Sequence, residues 1–198
     1  MTADAGATGE LWLVRHGETE WSASGRHTGS TDIPLTAKGE KQAETLGKLL
    51  AGHAFARVLT SPMGRAIETC RLAGFGDVAD TTGDLREWDY GDYEGRKTVD
   101  IRKERPGWTL FDDGVPNGET AAEVGARADR VIASAEAAGG DVALFAHGHV
   151  LRVLTARWLA LTPEDGRRFG LDTATLGILG HEREVRVLRL WNQPGAVD

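Results

Sequence analysis

Two short apolar runs, LWLV at residues 11–14 and VALFA at residues 142–146, constrain the fold more than any other feature. Each is a continuous apolar stretch closed by a polar, glycine-containing segment, the pattern of a strand covered on both faces. Each also leads into a His-Gly pair, Arg15-His16-Gly17 in the first case and His147-Gly148-His149 in the second. In open parallel sheets, ligands collect beyond the carboxyl ends of the strands. Both histidines are therefore expected on one edge of one sheet.

The chain between and around these runs reads as the rest of such a sheet. Thr36 caps a helix with Ala43, Leu46, Leu49 and Leu50 on one face, and residues 57–60 return as a buried strand, giving β-α-β order. Ser61-Pro62 reads as an N-cap followed by proline at the first helical position, which puts Arg65 in or just after the first turn. Thr120 and Glu123 have capping-box spacing and open an Ala-rich helix running to about Ala138. Leu151, Leu154 and Trp158 recur at helical spacing, and residues 176–179 and 185–190 read as two strands of an edge hairpin joined by the charged turn 181–184. Residues 85–116 show no period and read as an irregular excursion over the strand ends. The expected fold is one α/β domain over residues 1–198: three layers, α/β/α, with a largely parallel central sheet. Residues 1–9 and 193–198 read as mobile termini.

Composition narrows the function. A 198-residue chain that is 40% hydrophobic can bury one sizeable core. A formal charge of −7, from 23 Lys and Arg against 30 Asp and Glu, argues against nucleic-acid or acidic-membrane partners, so any anion site must be local. The first ten residues lack the basic and apolar regions of a secretory signal, and no apolar run approaches the ~18 residues that span a bilayer, so the expected location is the cytoplasm. The single cysteine, Cys70, excludes an intramolecular disulfide and reads as a small buried apolar residue. Homo-oligomerisation is left open.

Arginine, histidine and glycine at a strand end are the parts for attack on a phosphoryl group: a guanidinium pairs with phosphate oxygens, imidazole supplies a nucleophilic nitrogen, and glycine lets backbone N–H groups approach. One such triplet proves little. Arg65 alone is compatible with a solvated helix arginine, and His147 with a core histidine bonded to a carbonyl. Convergence of Arg15, His16, Arg65 and His147 on one edge favours a phosphate site. His149 raises a metal reading through the His-x-His spacing, but arginines repel a cation and no metal is expected. His27, His53 and His181 read as surface residues, and the six tryptophans as cover for the core and pocket rim.

LVRHGETEW (13–21), TSPMGRAIET (60–69), LREWDYGDYEG (85–95), NGET (117–120) and FAHGHVLR (145–152) together resemble the signature blocks of the histidine phosphatase superfamily, the phosphoglycerate mutase-like fold. The resemblance implies His16 as the phosphorylated nucleophile, Arg15, Arg65 and His147 as the phosphate pocket, and Glu87 as proton donor. It further implies Ser22, Thr28, Tyr90 and Gly148 as substrate contacts, with no cofactor and no metal. A departing alkoxide needs a proton, and a carboxyl beside a phosphate dianion is expected to have its pKa raised so that it can carry one. Glu18, Asp89, Asp92 and Glu94 compete for this role, with Asp89 second to Glu87; Glu119 either orients the pocket or merely precedes the helix cap.

The implied activity is hydrolysis of small phosphorylated metabolites. The blocks are most similar to the sedoheptulose-1,7-bisphosphatase group and related bacterial acid phosphatases, which implies sugar bisphosphates as substrates. Arg96, Lys97, Arg102, Lys103 and Arg105 offer cations for a second phosphate, or else form a solvated helix face. The alternatives are a broad-specificity acid phosphatase, a cofactor-dependent phosphoglycerate mutase, or a non-catalytic phospho-ligand-binding module. Mutases of the family tend to carry Asn where this chain has His149.

Overall fold

A computed structural model describes residues 9–195. Its six strands are β1 (Leu11–Arg15), β2 (Arg57–Thr60), β3 (Ala79–Thr81), β4 (Val142–Ala146), β5 (Thr175–Glu182) and β6 (Val185–Pro194), in the sheet order β3-β2-β4-β1-β5-β6. The two apolar runs are the central pair: β1 and β4 run parallel with Leu13 opposite Leu144, and all of β4 is buried. β2 and β3 continue the parallel half. β5 runs antiparallel to β1 and forms the expected edge hairpin with β6. The sheet is mixed and mostly parallel.

Alternation along the strands sends side chains to both faces. Leu11, Leu13, Leu59 and Leu144 face one layer, while Val14, Val58, Ala143 and Phe145 face the other. The second face is covered by α2 (Ala37–Leu50) and α3 (Gly64–Leu72), which bring Leu46, Leu50 and Cys70. The first is covered by α6 (Ala121–Glu136) and α7 (Gly148–Trp158), which bring Val131, Leu151, Leu154 and Trp158. Full burial of each such large side chain contributes about 1.5–3 kcal/mol. Cys70 is buried as expected. No helix among the described residues is long and apolar enough to cross a membrane.

Local signals hold where a side chain makes them. Thr36 accepts from Gly39 N to start α2, and Thr120 and Glu123 form the capping box of α6. Leu49 departs from its expected face and is exposed, because 43, 46 and 50 already define the buried stripe. The start of α3 also differs: its N-cap is Met63, without a side-chain cap, and Ser61-Pro62 lies outside the helix. Ser61 Oγ instead accepts from Met63 N at 3.3 Å and bonds His147, so it shapes the turn before the helix. Arg65 still falls in the first turn. The excursion over 85–116 carries two short helices, α4 (Thr98–Glu104) and α5 (Leu110–Asp113), besides the single turn Gly91–Tyr93. A further short helix, α1 (Glu20–Ser24), follows β1.

Of the expected mobile ends, residues 1–8 and 196–198 lie outside the described residues. Gln193 and Pro194 are not a loose end: they continue β6 and pair with Leu176 and Thr175. Gly9 packs so tightly on Gly140 that a Cβ there would lie 2.0 Å from its carbonyl oxygen.

Candidate active site

β1 delivers His16 to the carboxyl edge of the sheet, and both neighbouring strands hold its backbone. His16 N donates to Ala146 O at 3.0 Å, and His16 O accepts from Ala174 N at 3.0 Å. The ring is 5% exposed, and Nδ1 lies 2.7 Å from the carbonyl of Gly17, to which it donates. That bond selects the tautomer whose Nε2 carries the lone pair. Burial, then the fields of Arg15 and Arg65, lower the His16 pKa to about 3, so the ring is neutral. Gly17 is a steric requirement, since a Cβ there would lie 2.3 Å from Gly39 O in the first turn of α2.

The Arg15 guanidinium lies over Gly148, where a Cβ would come within 3.2 Å of Cζ. It donates through Nη1 to Leu171 O, while its buried Nε has no partner among the described residues. An unpartnered guanidinium N–H beside a neutral imidazole is what an entering phosphate oxygen would satisfy.

Six of the residues expected from sequence, Arg15, His16, Ser22, Thr28, Glu87 and Tyr90, line one cavity of about 260 Å³, and Gly25, Arg26, His27, Thr98 and His149 complete its wall. Ser22 Oγ is engaged in the capping box with Thr19, and Thr28 Oγ1 donates to Arg26 O. Arg65 and His147 do not reach this wall; they form a layer behind it. The side chain of Arg65 is fully buried and donates to Thr28 O (3.1 Å), Gly29 O (2.9 Å) and Thr31 O (3.0 Å), and through Nε to His147 Nδ1 (3.2 Å). His147 Nε2–H then donates to Ser61 Oγ at 2.7 Å. Burial, then Arg65, hold His147 well below the usual imidazole range, and its ring centroid sits 5.1 Å from that of His16.

Glu87 is 8% exposed and sits on the N-terminus of α7. Its carboxylate accepts from Trp88 N (2.9 Å), His149 N (3.0 Å) and Val150 N (3.0 Å). Burial pushes its pKa up, but His149, His147 and the backbone N–H of His149 outweigh burial and hold the carboxyl well below its ordinary value. The raised pKa expected from sequence is thus not a property of the protein's own field; a phosphate dianion would have to supply it. Tyr90 Oη and His149 Nδ1 are hydrogen-bonded at 2.6 Å, much closer than the 3.7 Å between that nitrogen and Glu87 Oε2. The rival acids have other partners: Glu18 pairs with Lys38, Asp89 accepts from Gly91 N, Asp92 from Asn117, and Glu94 from Gly29 N and Thr31 N.

Two expectations change. His27 is not a surface residue: it is 9% exposed, packs on Tyr90 at 4.8 Å and Trp108 at 5.6 Å, and burial lowers its pKa to about 4. His53 and His181 are half-buried too, the first pairing with Asp141 at 2.7 Å and the second packing on Trp158. The cations of 96–105 face their own surroundings: Arg96 pairs with Glu104, Lys103 with Asp100, Arg102 donates to Trp108 O and Arg105 to Tyr93 Oη. None of them lines the cavity, whereas Arg26, overlooked in the sequence, does. Among the described residues no cluster of His, Cys, Asp and Glu has a metal-holding arrangement.

The mostly parallel α/β sheet thus presents a neutral histidine and a guanidinium together at one strand end, groups whose chemistry suits a phosphoryl ligand. The chain belongs to the histidine phosphatase superfamily (branch 1), whose family model matches residues 11–194. It is similar to an acid phosphatase of Mycobacterium tuberculosis, at 43% identity over 93% of each chain. It is also similar to sedoheptulose 1,7-bisphosphatase of Saccharomyces cerevisiae, at 40% identity over 75% of this chain and 67% of the relative. A solved structure from Mycobacterium tuberculosis superposes with a TM-score of 0.91 at 43% identity, covering 95% of this chain and 99% of the other. The protein is a histidine phosphatase.

Proposed function

We propose that this phosphatase hydrolyses small phosphorylated metabolites through phospho-His16, with sugar bisphosphates such as sedoheptulose 1,7-bisphosphate as the preferred class. The observation that carries the reading is His16 itself: Nδ1 is tied to Gly17 O, the ring is neutral, and the residue lines one cavity with Arg15 and Glu87. Nε2 attacks phosphorus while the bond to the departing oxygen breaks, and protonated Glu87 gives that oxygen its proton. Glu87, now a carboxylate, takes a proton from water, and the resulting hydroxide displaces Nε2 to release inorganic phosphate. Arg15 holds the phosphoryl oxygens through both steps, backed by Arg65 and His147. Gly148 keeps the space that Arg15 occupies.

The bisphosphate preference is supported by the yeast relative and by Arg26 and Thr98 in the cavity wall, a cation and a hydroxyl residue suited to a second anionic group. The internal pairing of Arg96 and Lys103 and the mycobacterial relative favour a second reading, a broad-specificity acid phosphatase. A panel of matched mono- and bisphosphates separates the two. The first requires a kcat/KM ratio of at least ~10 in favour of bisphosphates, about 1.4 kcal/mol of transition-state binding. Equal rates select the second, and interconversion of 2- and 3-phosphoglycerate without phosphate release refutes both. His16→Ala is expected to abolish turnover together with an acid-labile phosphoenzyme; a label that survives the substitution removes His16 from its role.

A further inference from the structure

We infer that the ion pair between buried Arg127 and half-buried Glu119 is the positioning device for the proton-transfer carboxylate, a role that rests on the reading of Glu87 given above. Glu87 lies in a segment without a strand ladder, just after the single helical turn Gly83–Leu85. Such a segment leaves backbone groups to be satisfied by something else. Arg127, 7% exposed on α6, supplies the donors: Nη1 to Asp84 O at 2.8 Å and Arg86 O at 3.0 Å, and Nη2 to Glu87 O at 3.5 Å. The same guanidinium grips Glu119 bidentately, Nε to Oε1 and Nη2 to Oε2, both at 2.8 Å.

Glu119 then holds the far side of the segment. Its Oε2 accepts from Asp89 N at 3.0 Å, its N–H donates to Asp89 O at 3.0 Å, and its carbonyl accepts from Trp88 Nε1 at 2.8 Å. The pair therefore touches the backbone of residue 87 and of its neighbours on both sides; neither member lines the cavity at His16, although Glu119 lines an adjoining one together with Glu87. Leu85 and Trp88 are buried in the core and hold the segment down. What Arg127 and Glu119 add is its placement along the sheet edge, which sets where the Glu87 carboxyl meets the departing oxygen. Proton transfer in the transition state depends on that placement to well under 1 Å, whereas attack by His16 does not.

The test uses Arg127→Lys, which keeps the charge and loses the fork, and Glu119→Gln, which keeps the shape and loses the charge. Each is assayed on glycerol phosphate, whose alkoxide needs a proton, and on 4-nitrophenyl phosphate, whose leaving group scarcely does. Each is also combined with Glu87→Gln. The expected result is a loss of kcat on glycerol phosphate at least ~10-fold larger than on the nitrophenyl ester. In the Glu87→Gln background the same substitutions are expected to cost less than ~2-fold more, because the group they position is already gone. Equal losses on both esters, no loss, or losses that multiply with Glu87→Gln overturn the inference and leave the reading of Glu87 standing. A Glu87→Gln enzyme that itself shows no dependence on the leaving group overturns that reading first. Circular dichroism monitors folding; if Arg127→Lys does not fold, Glu119→Gln decides alone, and failure of both to fold makes the pair a requirement of the fold and overturns a positioning role.

Discussion

Gly17→Ala tests how closely His16, the proposed nucleophile, depends on the packing beneath it. The backbone of Gly17 is not in the left-handed region, so an added methyl brings no torsional strain and the whole effect is steric. The new Cβ would lie 2.3 Å from Gly39 O, and relief requires a separation of at least 3.0 Å. Gly39 cannot yield: it belongs to the first turn of α2, its N–H is bonded to Thr36 Oγ1, and Glu18 O crowds its other side. The His16-Gly17 loop must therefore move by somewhat under 1 Å, carrying both the ring and the carbonyl that fixes its tautomer. Overpacking of this kind costs about 1–3 kcal/mol, which lowers Tm by about 2–12 °C in a chain of this size. Displacement of an attacking atom on this scale lowers kcat by ~30–100-fold. 4-Nitrophenyl phosphate is the right substrate, because it reports the nucleophile and scarcely the proton donor. A Gly17→Ala enzyme that melts several degrees lower yet keeps kcat within ~3-fold of the parent would show that the loop yields without moving His16, and would refute the argument.

Other consequences follow from burial and pairing. His16 and His27 have pKa values lowered to about 3 and about 4, and His147 and His149 are lowered as well, all chiefly by burial. Each takes up a proton more readily unfolded than folded, so their contribution to stability is complete above ~6.5 and is withdrawn as pH falls, by up to ~1.4 kcal/mol per unit for each group. A Tm that stays flat from pH 6.5 down to 4.5 contradicts this; a plateau above about pH 6.5 and a steady fall below it are expected. Ser61→Ala removes the acceptor of His147 Nε2–H in a fully buried site, and is expected to destabilise by about 1–3 kcal/mol in denaturant titrations; a change below ~0.5 kcal/mol refutes the bond's structural weight. Burial pushes the Cys70 thiol up to about 12, so it is expected to resist aromatic disulfide reagents at pH 8 until the protein unfolds. Rapid labelling of the native protein rejects its burial.

The sequence spoke most clearly where a pattern is local. The runs that became β1 and β4 are apolar throughout because both faces of the sheet are covered, and Thr120 with Glu123 announced α6 because both halves of a capping box lie within one turn. Arg15, His16 and Glu87 were legible through their motif blocks, and they do share one cavity. What was not legible depends on contacts between distant segments. His27 sits in a polar stretch with no period, and its burial comes from Tyr90 and Trp108, more than sixty residues on, folding over it. β3 is only three residues long and has two exposed side chains, too little for an alternation to register. Ser61-Pro62 misled because a serine before a proline looks like a cap, while its hydroxyl is bonded to a histidine from the other end of the chain. Convergence on the sheet edge and the family resemblance place Arg65 in the phosphate pocket, and what they do not convey is that the carbonyls of residues 28, 29 and 31 and His147 engage most of its donors.

The reversed direction of β5 gives the edge hairpin two ends of very different freedom. Its beginning lies at the catalytic edge, where Ala174 N holds the carbonyl of His16 and the preceding segment holds Arg15 through Leu171 O. Its turn lies at the opposite edge of the sheet, with Arg183 in a left-handed conformation (φ 55°) and Glu182 paired with Val185. An insertion at that turn, a peptide tag or a second folded module, meets solvent and leaves the chemistry some seven residues of strand away. The same insertion between Leu171 and Thr175 pulls on His16 and Arg15. A change in loop length is therefore tolerated by the geometry at one end of this hairpin and not at the other, and a fusion partner or reporter belongs at residues 182–185.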